Sequence, residues 1–132
     1  MLKQMVLFVA TFFLLNSSGC GENSVTGSAD VRLIKNIEFT ITDKINRGNE
    51  LYVKGIVKNK NKSTVRPLWY VEGDFYSDNS FTLKLGGDNT SINYSLAKNE
   101  TTIFELRFSS SKYNESDYPN FAVKNLRAFH EE

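Results

Sequence analysis

The sequence predicts an all-β protein, a single antiparallel β-sandwich of about seven or eight short strands. Three observations predict this fold. In one segment after another apolar residues alternate with polar ones, the period of two that is typical of a half-buried strand. Clusters of Asn, Gly, Ser and Asp separate these segments, and no long stretch repeats apolar residues at helical spacing. Ten Phe, six Tyr and one Trp supply the large side chains that a small two-sheet core needs.

The first predicted strands follow one another closely from Val31 onward, the start of a domain that we place at residues 31–132. Asp43–Asn49 is predicted to be the first turn. The inward positions of the strand before it are Ile37, Phe39 and Ile41. Those of the strand after it are Leu51, Val53, Gly55 and Val57. A third strand, rich in aromatic and β-branched residues, runs from Leu68 to Tyr76 and is followed by a turn at Ser77–Ser80.

The second half of the domain continues the same pattern. Phe81–Leu85 is predicted to be a strand that ends at a turn, Gly86–Asn89. The inward positions of the next two strands are Ile92, Tyr94 and Leu96, and then Phe104, Leu106 and Phe108. Ser109–Pro119 is the longest irregular piece, and Phe121–Phe129 is predicted to be the last strand.

The aromatic strand carries the candidate contact surface. Because successive strand residues point to opposite faces, inward Trp69, Val71 and Phe75 require their neighbours to face outward. These neighbours, here called the tyrosine strip, are Tyr70, Glu72, Asp74 and Tyr76. A tyrosine joins an apolar ring to a polar tip, which suits either a protein contact or stacking on a sugar. A register slip by one residue would reverse the assignment.

The first 20 residues have the layout of a secretory signal: Lys3, then the apolar Met5–Leu15, then the small or polar Asn16–Gly19. The apolar run is shorter than the roughly 20 residues that span a bilayer. The only cysteine of the chain, Cys20, follows directly. This arrangement resembles a bacterial lipoprotein signal. The resemblance implies that residues 1–19 are removed and that Cys20 carries the lipid anchor.

The same resemblance implies a location in the cell envelope. An Asp directly after the lipidated cysteine commonly marks retention at the inner membrane, whereas this chain has Gly21. In a two-membrane bacterium the expected location is therefore the periplasmic side of the outer membrane. Residues 20–30 are predicted to be the lipidated cysteine and a flexible tether of roughly 17 Å, because Val25 and Ala29 are the only apolar residues of Gly21–Asp30. An ordered first strand is the alternative.

Three short motifs between roughly residues 50 and 110 resemble the FxLYD-type domain. They are Gly55-x-Val57-x-Asn59; a strand from Val71 to Phe75-Tyr76-Ser77-Asp78; and Leu96 with Glu100 and Phe104-Glu105-Leu106. Two places depart from the family pattern, since Ser77 separates Tyr76 from Asp78 and Lys98-Asn99 replaces the usual Pro-Gly. The resemblance implies an immunoglobulin-like sandwich with an interaction or accessory role, and it implies no catalytic residues.

Charge and residue content favour binding over catalysis. Once Lys3 leaves with the signal, basic and acidic residues are equal in number, since the whole chain has 16 Lys and Arg against 15 Asp and Glu. A neutral domain lacks the basic footprint of a nucleic-acid-binding protein. His130 is the one histidine and is predicted to be a solvated tail residue, so no Cys and His set can form a zinc site. We expect no metal, no cofactor and no enzymatic activity; Glu72 and Asp74 are interpreted as a solvated face.

Two functions remain open at this point. The first is a non-catalytic envelope lipoprotein that binds a protein partner in envelope assembly, secretion or inhibition and immunity. The alternative is a lipoprotein that binds glycan or peptidoglycan through the tyrosine strip. A flat tyrosine platform beside carboxylates would favour glycan, whereas a broad apolar patch or a free strand edge would favour a protein partner.

Overall fold

The computed structural model describes residues 31–131; the predicted signal peptide, Cys20 and the tether lie outside them. The strands are β1 (Val31–Ile34), β2 (Ile37–Asn46), β3 (Leu51–Asn59), β4 (Trp69–Tyr76), β5 (Lys84–Ile92), β6 (Thr101–Phe108) and β7 (Ala122–Glu131). A single turn of 3₁₀ helix, Glu115–Asp117, precedes β7. Within the described residues no helix is long or apolar enough to cross a bilayer.

The seven strands form two antiparallel sheets. One has the order β1-β7-β4-β5 and the other the order β2-β3-β6. Their apolar faces enclose one core, so the predicted all-β sandwich is confirmed for residues 31–131. β4 lies between β7 and β5, which makes it an interior strand of the larger sheet. The outer face of β4 is therefore flanked by a strand on each side.

The core contains every residue that the alternation predicts to face inward on β4 and β6. All are at most 8% exposed: Trp69, Val71, Phe75, Phe104, Leu106 and Phe108. The Phe75 ring stacks on Phe108 at 5.6 Å and on Phe121 at 6.0 Å between ring centroids. The indole Nε1–H of Trp69 donates a hydrogen bond of 3.0 Å to the carbonyl of Tyr94. The core cluster and the side chains packed on it all lie between residues 34 and 129, so the described residues contain this core.

The predicted turn at Gly86–Asn89 is wrong, because these residues lie inside β5. Gly86 serves close packing instead of a turn. A β-carbon built there would overlap the ring of Phe108, which crosses from the other sheet. Phe81 is likewise in the preceding loop, where its φ is +57°, and not in a strand.

Three further boundaries differ from the prediction. β2 runs to Asn46 past an irregularity between Ile41 and Asp43, and it stays polar because it is an edge strand. After β5 ends at Ile92, a single bridge between Leu96 and Val65 replaces the predicted strand. β7 continues past Phe129 to Glu131 and therefore contains the predicted tail histidine.

The Gly-x-Val-x-Asn motif has a structural role at the end of β3. At Gly55 an added β-carbon would lie 2.5 Å from the carbonyl oxygen of Thr40 and 2.7 Å from the Phe104 ring, so the position accepts no side chain without displacement. Asn59 is fully buried, and its side-chain amide donates bonds of 2.9 Å to the carbonyls of Ser63 and Leu96. Its side-chain oxygen accepts a bond of 2.9 Å from the backbone N–H of Asn61. Asn59 thus fastens the β3–β4 loop to the segment before β6.

Candidate functional site

The tyrosine strip lies on the outer face of β4. Burial alternates along this strand without interruption, from fully buried inward residues to half-buried outward ones. The outward residues are the four predicted ones, Tyr70, Glu72, Asp74 and Tyr76. Each of them contacts a side chain from a neighbouring strand or loop, so the strip is a layer of packed pairs.

One end of the strip is an aromatic stack. The Tyr70 ring lies 5.2 Å from that of Phe129, with an angle of 12° between the ring planes. Phe129 lies opposite Tyr70 on β7 and is only 5% exposed, although it belongs to the outer face. The Tyr70 hydroxyl donates a hydrogen bond of 3.1 Å to Glu131. The pKa of Tyr70 is raised above its ordinary value, mainly by partial desolvation and to a smaller extent by this bond to a carboxylate.

The middle of the strip is charged. Glu72 pairs with Arg127, which lies opposite it on β7. Asp74 lies 3.4 Å from the Nζ of Lys84 and accepts a hydrogen bond of 2.9 Å from the side-chain amide of Asn125. These groups line a shallow depression of about 490 Å³ in the outer face of the sheet.

The other end of the strip is a second aromatic pair. Tyr76 meets Phe81 edge to face, with 5.3 Å between the ring centroids. The Nζ of Lys124 lies 4.6 Å from the centre of the Phe81 ring, within the range of a cation–π contact. Phe81 is 37% exposed and holds a left-handed backbone, φ +57°, which is unfavourable for an aromatic residue. Its two ring contacts hold it against the sheet.

The two tyrosines do not form a flat platform. Tyr76 lies six positions after Tyr70 on β4, which corresponds to roughly 20 Å along an extended chain. Between them lie the two paired carboxylates, Glu72 and Asp74. The arrangement is a charged, concave floor with an aromatic pair at each end.

The remaining candidate residues lie elsewhere. His130 is not a solvated tail residue: it is a half-buried member of β7, and its Nε2 lies 3.0 Å from the carbonyl of Arg66. In residues 31–131 no group of three or more metal-ligating side chains comes together. Cys20 lies outside the described residues.

The sequence does not predict the partners of the strip, which are Phe81, Lys84, Asn125, Arg127, Phe129 and Glu131. Period-two alternation gives the face of a residue but not its neighbour across the sheet. On β7 the alternation is also broken, because Asn125 has φ +59° and the register with β4 shifts between Glu72 and Asp74.

Comparisons with family models, with curated proteins and with solved structures return no match for this chain. The FxLYD resemblance therefore stays a prediction, and the functional argument depends on the residues themselves.

Proposed function

We propose that this chain is a non-catalytic lipoprotein of the cell envelope that acts as an accessory, protein-binding module. The observation that carries the proposal is the tyrosine strip, a concave surface with two charge pairs in its floor and an aromatic pair at each end. Tyrosine, phenylalanine and arginine, which this surface contains, are enriched among the contact residues of protein interfaces. The proposed anchor at Cys20 would keep this surface close to partners in the same envelope.

A protein partner suits this surface better than a glycan. Stacking on a sugar ring needs an open aromatic face beside free hydrogen-bonding carboxylates, whereas one face of Tyr70 is taken by Phe129 and both carboxylates are paired.

The anchor is tested by the substitution Cys20→Ser. We expect this variant to lose incorporated lipid and to leave the membrane fraction, because the apolar run before it is too short to anchor the chain by itself. The measurement is labelling with a fatty-acid analogue, together with fractionation of cells. Ser24→Ala in the predicted tether is the matched control and should behave like the parent. Unchanged labelling and partitioning of the Cys20→Ser protein would contradict the anchor.

The contact surface is tested by exchanging the charges of the Glu72–Arg127 pair. Glu72→Arg or Arg127→Glu alone should lower stability by up to about 1 kcal/mol, because the ion pair is partly exposed. The double variant restores an ion pair and should recover the parent's melting temperature. All three variants should lose the partner, because the charges presented to it are altered. The readout is the amount of partner co-purified from cross-linked membranes.

The control for this test is the same exchange at Arg47 and Glu50, an ion pair of 2.8 Å next to the turn between β2 and β3. That double variant should keep partner capture, although its stability should fall by up to about 1 kcal/mol because Glu50 also lies 3.6 Å from Arg107. Undiminished capture by the Glu72→Arg, Arg127→Glu double variant would show that the tyrosine strip is not the contact surface. Specific binding of peptidoglycan fragments by the parent, lost in Tyr70→Ala, would favour the glycan alternative.

A further inference from the structure

A basic groove lies at the edge of the domain where the described chain begins. It has a volume of about 520 Å³ and is formed by residues that follow or belong to β1, by the β3–β4 loop and by the end of β7. The residues that define the basic groove are Arg32, Lys35, Asn61, Thr64, Arg66 and His130. None of the groove's lining residues is a carboxylate. This groove is separate from the tyrosine strip, with which it shares no lining residue.

Basic residues are concentrated in the two segments that form most of the groove. Residues 31–37 and 60–68 contain five Lys and Arg and no Asp or Glu. In the described part of the chain, no carboxylate lies within salt-bridge distance of Lys35, Lys60, Lys62 or Arg66, all of which are exposed. The nearest acid along β7 is Glu131, which accepts the hydrogen bond from Tyr70 at the end of the strip.

Two exposed leucines accompany the cations. Leu33 lines the groove and is 51% exposed, and Leu68, 48% exposed, directly follows the lining residue Pro67. Exposed apolar side chains beside exposed cations are the combination that peripheral proteins use at an anionic bilayer. The cations approach the headgroup phosphates, and the apolar side chains enter the interface.

Among possible anionic partners, the bilayer fits best, because the groove lies only a short way along the chain from Cys20. Arg32 is twelve residues after Cys20, and a chain of twelve residues spans at most about 40 Å and about 20 Å on average as a coil. With Cys20 lipidated, β1 would be held within reach of the membrane surface. We infer that the basic groove, with Leu33 and Leu68, docks on the phosphate groups of anionic phospholipids and orients the domain on its membrane; this inference depends on the proposed anchor.

The inference is tested with residues 20–132 carrying Cys20→Ser, so that no lipid chain contributes to binding. Sedimentation is measured with vesicles of phosphatidylcholine alone and with vesicles that contain about 30% phosphatidylglycerol. Each basic residue near an anionic surface strengthens binding by about fivefold, so we expect at least a tenfold preference for the anionic vesicles at low salt. This preference should disappear at about 0.5 M salt, where the Debye length is a few ångströms.

The decisive variant is Lys35→Glu with Arg66→Glu, which should remove the preference for anionic vesicles. Lys112→Glu is the matched control for the single Lys35→Glu variant, since it changes the net charge equally on an exposed residue away from the groove. If the decisive double variant does not fold, Lys35→Gln with Arg66→Gln is the milder replacement, and it should weaken binding to anionic vesicles by at least tenfold.

Three outcomes would overturn the inference: no binding to anionic vesicles, equal binding to both kinds of vesicle, or equal losses in the groove and control variants. Competition by glycerol phosphate at millimolar concentration would also overturn it, because the site would then bind a soluble phosphate. None of these results depends on lipid labelling of Cys20 or on partner capture by the tyrosine strip. Failure here therefore leaves the proposed function standing, and failure of the anchor would be seen separately.

Discussion

Trp69→Ala is expected to destabilise the domain by about 3–5 kcal/mol, the range for removal of a large aromatic side chain from a core. Trp69 is fully buried at the start of β4, where it fills the space between the sheets. Truncation leaves a cavity and also removes the hydrogen bond to the carbonyl of Tyr94. The lost packing and the lost hydrogen bond both lower the stability, because the vacated space is apolar and offers the Tyr94 carbonyl no new donor.

The measurement is urea unfolding monitored by far-UV circular dichroism. Tryptophan fluorescence is not used, because Trp69 is the only tryptophan and the variant lacks it. Trp69→Phe is the graded control: it keeps most of the buried ring and should lose about half as much stability. Leu68→Ala, next to it but 48% exposed, should be within about 0.5 kcal/mol of the parent. A Trp69→Ala protein as stable as the parent would contradict the proposed core.

Asn59→Asp is expected to cost about 3 kcal/mol or more at neutral pH, the second large effect. The substitution keeps the shape of the side chain but replaces its amide donor with an oxygen that faces the carbonyls of Ser63 and Leu96. The Leu96 carbonyl keeps the backbone N–H of Val65 as a donor, so the cost comes mainly from burying a carboxylate that faces two carbonyl oxygens, together with the lost bond to Ser63.

The pH dependence of the Asn59→Asp variant gives a second signature. Burial and the two carbonyls favour the neutral acid, so the pKa of the new carboxyl would be raised in the folded state. The folded state then binds more protons than the unfolded one, and stability falls as the pH rises above about 4, the ordinary value for Asp. Relative to the parent, the variant should lose less stability at pH 4 than at pH 7.

Asn114→Asp is the control for this effect, because Asn114 is exposed and uses its side-chain oxygen as an acceptor for Ser116. A carboxylate there accepts the same bond, so stability should change little at either pH. Equal losses at pH 4 and pH 7 in the Asn59 variant would show that the amide is not enclosed as described.

The fold class follows from the sequence because period-two alternation reports burial directly. It succeeds best on β4, where every inward residue is fully buried and the outward ones are half-buried. It fails on β5 because Gly86 and Gly87 look the same in a sequence whether they form a turn or admit a ring from the opposite sheet. The ring of Phe108 that decides the case is 22 residues away along the chain, beyond any local signal.

The sequence predicts which face of β4 the site residues occupy, but it does not predict which side chains they contact. Alternation alone places Tyr70 and Tyr76 outward, yet the stack on Phe129 and the pair with Phe81 arise from strand order and from a left-handed loop residue. The basic groove was not predicted, because it joins β1, the β3–β4 loop and the end of β7. In the composition of residues 20–132 its cations do not stand out, because basic and acidic residues there are equal in number.

Site-directed photo-cross-linking in the cell tests whether the tyrosine strip is the surface that contacts a protein partner. A benzoylphenylalanine is placed at Asn89 or Ser91, exposed positions on β5 opposite Glu72 and Tyr70, and at Thr40 on the outer face of the other sheet as a control. If the tyrosine strip binds one protein partner, we expect a cross-linked species of the same mass from both β5 positions and none from Thr40. The substitution Arg127→Glu should abolish this species. Cross-linking from Thr40 alone, or none from β5 in cells that contain the lipidated protein, would contradict this assignment of the contact surface.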